Sequence, residues 1–129
     1  MPQTWFDLAS DARKAASGLV TAHYRSCLSR AYYAAYSKVT HALSGVPGVI
    51  FPTDREGPNH PGETGAGGIH RLIVTSMPNM QANKRRKLAG LIGRLYTLRI
   101  WADYRPSVQV EGRDAREAIS IMNKVFDSF

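Results

Sequence analysis

The stretch LAGLIGRLYTLRIWADY, residues 88–104, decides the fold. Leu88, Leu91, Ile92, Leu95, Leu98 and Ala102 recur at three- and four-residue spacing and form one apolar helical stripe. Ala89, Gly93, Tyr96 and Ile100 form a second, so apolar groups cover most of the circumference and this is expected to be the central helix. It opens at Asn79 or Gln81 and is ended by Pro106. Gly90 and Gly93 each cost roughly 1 kcal/mol relative to alanine in a helix interior. That cost is most easily offset where another backbone passes close by, so the pair is expected to mark a crossing point.

Upstream, Tyr24, Leu28, Ala31, Tyr32, Ala35, Val39 and Ala42 predict a long helix from about Thr21 to Leu43, stopped at Ser44-Gly45. Before it, Trp5, Leu8, Ala12, Ala16 and Leu19 predict an amphipathic helix that begins near Thr4 and loosens at Gly18. A short helix is expected over Ile69 to Met77, ended by Pro78. A last helix from about Glu111 carries Ala115, Ile119, Met122 and Phe126 inward. No segment alternates with a period of two and no internal repeat is present. The expectation is an all-α, antiparallel up-and-down bundle of four to five helices, forming one domain over residues 1–129. Residues 45–68 hold four of the seven prolines and seven of the eleven glycines, and so read as a long loop, functional or mobile.

Composition fits that class. At 129 residues, with 43% hydrophobic and 21% charged residues, the chain has the usual globular mixture, which argues against wholesale disorder. A single cysteine, Cys27, excludes an internal disulfide, and no run approaches the ~20 apolar residues of a membrane span. A cytoplasmic protein is expected. No cofactor or metal is expected either, because the glycines between His60, Glu63 and His70 impose no fixed ligand spacing. The segment Gly62 to Gly68 lacks the Gly-Lys-Ser/Thr ending of a phosphate loop.

Charge narrows the partners. Seventeen Lys and Arg against ten Asp and Glu give +7, which favours polyanions such as RNA or DNA. Acids are missing between Asp11 and Asp54 and between Glu63 and Asp103, and those gaps hold twelve of the cations. The most informative is Arg99, which projects from the apolar stripe, where an uncompensated guanidinium is costly. Asp103 lies one turn later on nearly the same face, and Tyr104 stands at the helix end beside them. Two readings stay open: a structural ion pair, or an arginine held to engage a phosphate with its planar fork.

Two surfaces are further candidates. Ser26, Arg30, Tyr33 and Ser37 lie opposite the core stripe of the second helix. That face is solvated, dimer-facing, or the edge of an RNA groove in which Tyr33 stacks and Arg30 meets phosphate. Lys84, Arg85, Arg86 and Lys87 point all around the axis at the start of the 88–104 helix, as a nucleic-acid contact or a solubilising cap.

The run SRAYYAAY over residues 29–36, followed by RIWADY over residues 99–104, resembles the HEPN superfamily of small helical proteins, in its branch with an RAYYA helix and an RxxADY helix end. The resemblance spans roughly residues 20–128. It implies a homodimeric helical bundle that is often paired with a minimal nucleotidyltransferase in a toxin–antitoxin or defence system. It also implies a possible metal-independent RNase, whose active site joins an arginine to a histidine with four to six residues between them. Arg99 occupies the arginine's place, but Tyr104 stands where that histidine is expected. A tyrosine with pKa about 10 is a far poorer base near neutral pH than histidine. The resemblance leaves Tyr104 two other roles, hydrogen-bond donor and acceptor of nucleotides from the partner enzyme. A literal Arg-x4-His match, Arg55 to His60, falls in the Pro/Gly-rich segment and makes His60 an alternative catalytic residue. From other classes come a noncatalytic dimeric module that docks a nucleotidyltransferase, and a nucleic-acid binder with no toxin role.

Overall fold

The computed structural model describes residues 4–46 and 66–129, which form an all-α bundle. Its helices are α1 (Trp5–Leu19), α2 (Tyr24–Leu43), α3 (Ala66–Ser76), α4 (Ala82–Tyr104) and α5 (Gly112–Asp127). Most of the Pro/Gly-rich segment, and with it His60, lies outside the described residues. α3 starts at Ala66, three residues earlier than the apolar pattern indicates, and α2 starts at Tyr24, three residues later.

Local chemistry sets the ends. Thr4 caps α1: its Oγ1 accepts from the Asp7 amide at 3.1 Å, and its own amide donates to Asp7 Oδ2 at 3.1 Å. At the start of α5 the Glu111 amide donates to Asp114 Oδ2 at 2.9 Å. Between α3 and α4, Asn79 has φ 59°, a left-handed turn conformation that asparagine tolerates. Arg105, at the C-terminus of α4, leaves the helical region with φ −125° and ψ 76°, as a residue before proline does.

α1 runs antiparallel to α2: Ala16 meets Cys27 and Trp5 meets Tyr36. α4 is also antiparallel to α2, because Arg25 reaches Trp101 while Tyr32 packs on Tyr96. α5 is parallel to α2, with Cys27 near Ala115 and Lys38 near Phe126. α3 packs mainly against α4.

The central helix is α2, not α4. α2 packs against all four other helices and buries eleven residues, against six in α4. Tyrosines, alanines and Ser37 fill both of its faces, a pattern that hydropathy undervalues. Gly90 and Gly93 are not a crossing point, since a Cβ at either would have no neighbour within 4 Å. On α1, Leu8 is exposed and Ala9 takes the inward position. Cys27 is fully buried, which pushes its thiol up to about 11 and keeps it unreactive.

Candidate functional site at the end of α4

The two motif segments meet where the N-terminal half of α2 packs on the last turns of α4. Arg99 is 5% exposed, as a charge inside an apolar stripe should be, and is paired. Its Nε lies 3.2 Å from Asp103 Oδ2, and its Nη2 donates to the Tyr33 hydroxyl at 3.3 Å. The guanidinium carbon stands 5.6 Å from the Tyr32 ring centroid, 5.3 Å from that of Tyr33 and 5.6 Å from that of Tyr104. Three ring faces supply the negative potential that water would otherwise provide. Burial opposes the charge on Arg99, but Tyr33, Tyr104, Asp103 and Tyr32 together outweigh it and raise its pKa above the ordinary guanidinium value.

Asp103 is shared between the helices. Its Oδ2 also accepts from Ser29 Oγ at 3.0 Å, so the SRAYY segment holds both members of the ion pair. Tyr32 stays a neutral phenol, because burial drives its pKa well above the usual value and the Tyr36, Tyr96 and Tyr33 rings add to the shift against a lowering by Arg99. Tyr104 is 50% exposed and forms the outer wall of the cluster. The arrangement therefore joins a permanent cation, a carboxylate and solvent-facing phenol at one helix end.

Arg25 and Ser29 were not singled out by sequence reasoning. Arg25 clamps the end of α4: its Nη1 donates to the carbonyls of Trp101 at 2.8 Å and Ala102 at 3.1 Å, and its Nη2 to those of Pro106 at 3.2 Å and Val108. The Ala102 carbonyl thereby gains a partner that Pro106, which has no N–H, cannot supply, while the Trp101 carbonyl also keeps the Arg105 amide at 3.3 Å. Arg25 also places a cation at the negative end of the dipole. Arg25, Ser29 and Tyr33 stand at i, i+4 and i+8, a polar line along one face of the helix and the one signal that points to them.

The other candidates divide. Tyr33 faces Arg99 and does not stand free beside Arg30, which is exposed; Ser37 is buried. Arg85 leaves the basic quartet, because its Nε donates to the Val74 carbonyl at 2.9 Å and its Nη1 to that of Met80 at 2.7 Å, fastening α3 to α4. Lys84, Arg86 and Lys87 are exposed. Among the described residues no group of His, Cys, Asp and Glu is arranged to hold a metal, and no helix is long and apolar enough to cross a membrane. No family model, curated protein or solved structure matches the chain.

Proposed function

We propose that the protein is a HEPN-type component of a toxin–antitoxin or defence pair that engages RNA phosphate at the α2–α4 helix end, acting as a homodimer. The supporting observation is Arg99 buried among three tyrosine rings and oriented by Asp103, with the half-exposed Tyr104 beside it. A guanidinium fixed at Nε by a carboxylate is pre-oriented, so little of its rotational freedom is lost when a phosphate arrives. In metal-independent RNA cleavage, the 2′-hydroxyl attacks the adjacent phosphorus and the bond to the 5′ oxygen breaks. Arg99 is suited to neutralise the charge that develops on phosphate, the Asp103 carboxylate is the group at hand to accept the 2′-hydroxyl proton, and the Tyr104 hydroxyl is the one at hand to donate a proton to the departing 5′ oxygen.

The test is binding and cleavage of a short single-stranded RNA in the presence of a metal chelator. Arg99→Met, confirmed as folded by its melting curve, is expected to lose at least about tenfold in affinity, the scale of one charge-assisted contact. Unchanged affinity in a folded Arg99→Met protein overturns the reading. Cleavage by the wild type that disappears in this variant identifies the protein as the RNase.

A second reading is favoured by the outer face of α4. There Gly90 and Gly93 have open space where side chains would stand, and Tyr104 is exposed about 17 Å further along the helix, at its end. This face suits a noncatalytic dimeric module that docks a minimal nucleotidyltransferase, with Tyr104 as the acceptor of its nucleotides. A dimer in sedimentation that retains no RNA at physiological salt supports this reading over the first.

A further inference from the structure

At the opposite end of the bundle, two grooves flank the C-terminus of α5. One, of about 360 Å³, is lined by Phe6, Arg13, Lys14, Lys38 and Phe126. The other, of about 490 Å³, is lined by Lys84, Lys87 and Lys124 over a floor of Leu88 and Leu91. Asp127 borders both, and it is the one acid among the described residues lining either, against six cations. This end lies far from the Arg99 cluster: Lys87 and Asp103 are separated by about 24 Å along α4, at 1.5 Å per residue.

Aromatic rings are interleaved with these charges. Lys38 Nζ stands 5.8 Å from the Phe6 ring centroid, 5.7 Å from that of Phe126 and 5.5 Å from that of Phe129. The Arg13 guanidinium lies 4.4 Å from the Phe126 centroid. Phe6 and Phe129 are nevertheless 51% and 45% exposed, unusual for phenylalanine and expensive in water unless something covers them. Cations whose only role is solubility point away from the protein, whereas these line concavities, and in the first groove Lys38 stands beside the exposed rings of Phe6 and Phe129.

We propose that this end of the bundle binds single-stranded nucleic acid, with phosphates in the two lysine-lined grooves and bases stacked on Phe6 and Phe129. A strand alternates a charge with a flat apolar base, matching the alternation of cation and ring. The concave shape favours a strand over a membrane, whose surface is met by protruding residues. The proposal stands on these grooves and does not depend on the Arg99 cluster, so the two surfaces are tested apart.

The experiment is fluorescence anisotropy of a twelve-nucleotide oligouridylate with the full-length protein across a salt series. Lys14, Lys84, Lys87 and Lys124 are exposed, so their joint replacement by glutamine leaves the fold intact, which a melting curve confirms. Losing four phosphate contacts is expected to flatten the slope of log K against log salt by about 3, at ~0.7 per contact, and to weaken binding at least about tenfold. Phe6→Ala is expected to weaken binding about tenfold without changing the slope. Unchanged affinity and slope in the lysine variant overturn the proposal. So does equal affinity for a polyglutamate of the same length, or binding to phosphatidylserine vesicles that the oligonucleotide does not displace. Arg99→Met, measured alongside, reports on the other end: a loss confined to it removes the groove proposal, and a loss confined to the lysine variant removes the Arg99 reading.

Discussion

Where α4 ends, Arg25 and Arg99 are occupied by internal partners, five backbone carbonyls in one case and a carboxylate with three tyrosine rings in the other. Where α4 begins, Lys84 and Lys87 stand exposed over a groove, across the C-terminus of α5 from Lys14 and the ring-packed Lys38. The same charge thus does two different jobs. The first end is a rigid, pre-oriented site with one cation at its centre; the second is an open electrostatic surface. Total charge does not distinguish them, but the partners of each cation do.

The contrast breaks most visibly at Asp103. Asp103→Asn leaves the buried Arg99 charge without its solvent-facing carboxylate, and a loss of about 2 kcal/mol in urea unfolding is expected. A change under about 0.5 kcal/mol would show that Arg99 does not depend on the pair. Next comes Arg25→Ala, which removes the donors to the Ala102, Pro106 and Val108 carbonyls while Trp101 keeps the Arg105 amide, and is expected to cost about 1.5 kcal/mol. Arg25→Lys is not expected to restore it, since an ammonium cannot span the carbonyls of both Trp101 and Pro106 as the fork does. Rescue by lysine would reduce the clamp to simple charge.

Smaller effects sharpen the comparison away from both ends. Gly93→Ala places a methyl group in open space within a helix, so a gain of about 1 kcal/mol in stability is expected. A gain in stability together with lost dimerisation would show that a second copy uses this face. The Arg94–Glu117 pair, 2.7 Å apart and about 40% exposed on both sides, joins α4 to α5. The Arg94 hydrogen bond holds the Glu117 carboxyl below its usual range against a small opposing effect of burial. Its stabilisation is therefore present above the ordinary glutamate pKa and is lost as pH falls through the lowered value. Exposure limits it to under about 1 kcal/mol. Glu117→Gln is expected to remove this acid-side loss from a plot of stability against pH.

Much of this was legible in the sequence. The helices follow from apolar spacing, and their ends from Thr4, Glu111 and Pro106. A charged residue inside the stripe of residues 88–104 identified Arg99, and the one-turn spacing identified its partner Asp103. The centrality of α2 was hidden, because Ala34, Tyr36 and Ser37 lie off the helix's apolar stripe and are buried all the same. The roles of Arg25 and Arg85 were hidden for a different reason. Both donate to backbone carbonyls, which carry no residue-specific signal. The basic grooves were illegible because they form where α1, α2, α4 and α5 converge, and no local spacing encodes that meeting.

The central claim is that RNA meets the protein at the helix end built by Arg99, Asp103 and Tyr104. Photocrosslinking of a 4-thiouridine-substituted RNA, with the adducts mapped by mass spectrometry, tests it most directly. The account predicts an adduct on Tyr104 that disappears in a folded Arg99→Met protein. Crosslinks that leave Tyr104 unmodified, or that persist there unchanged without Arg99, would contradict it.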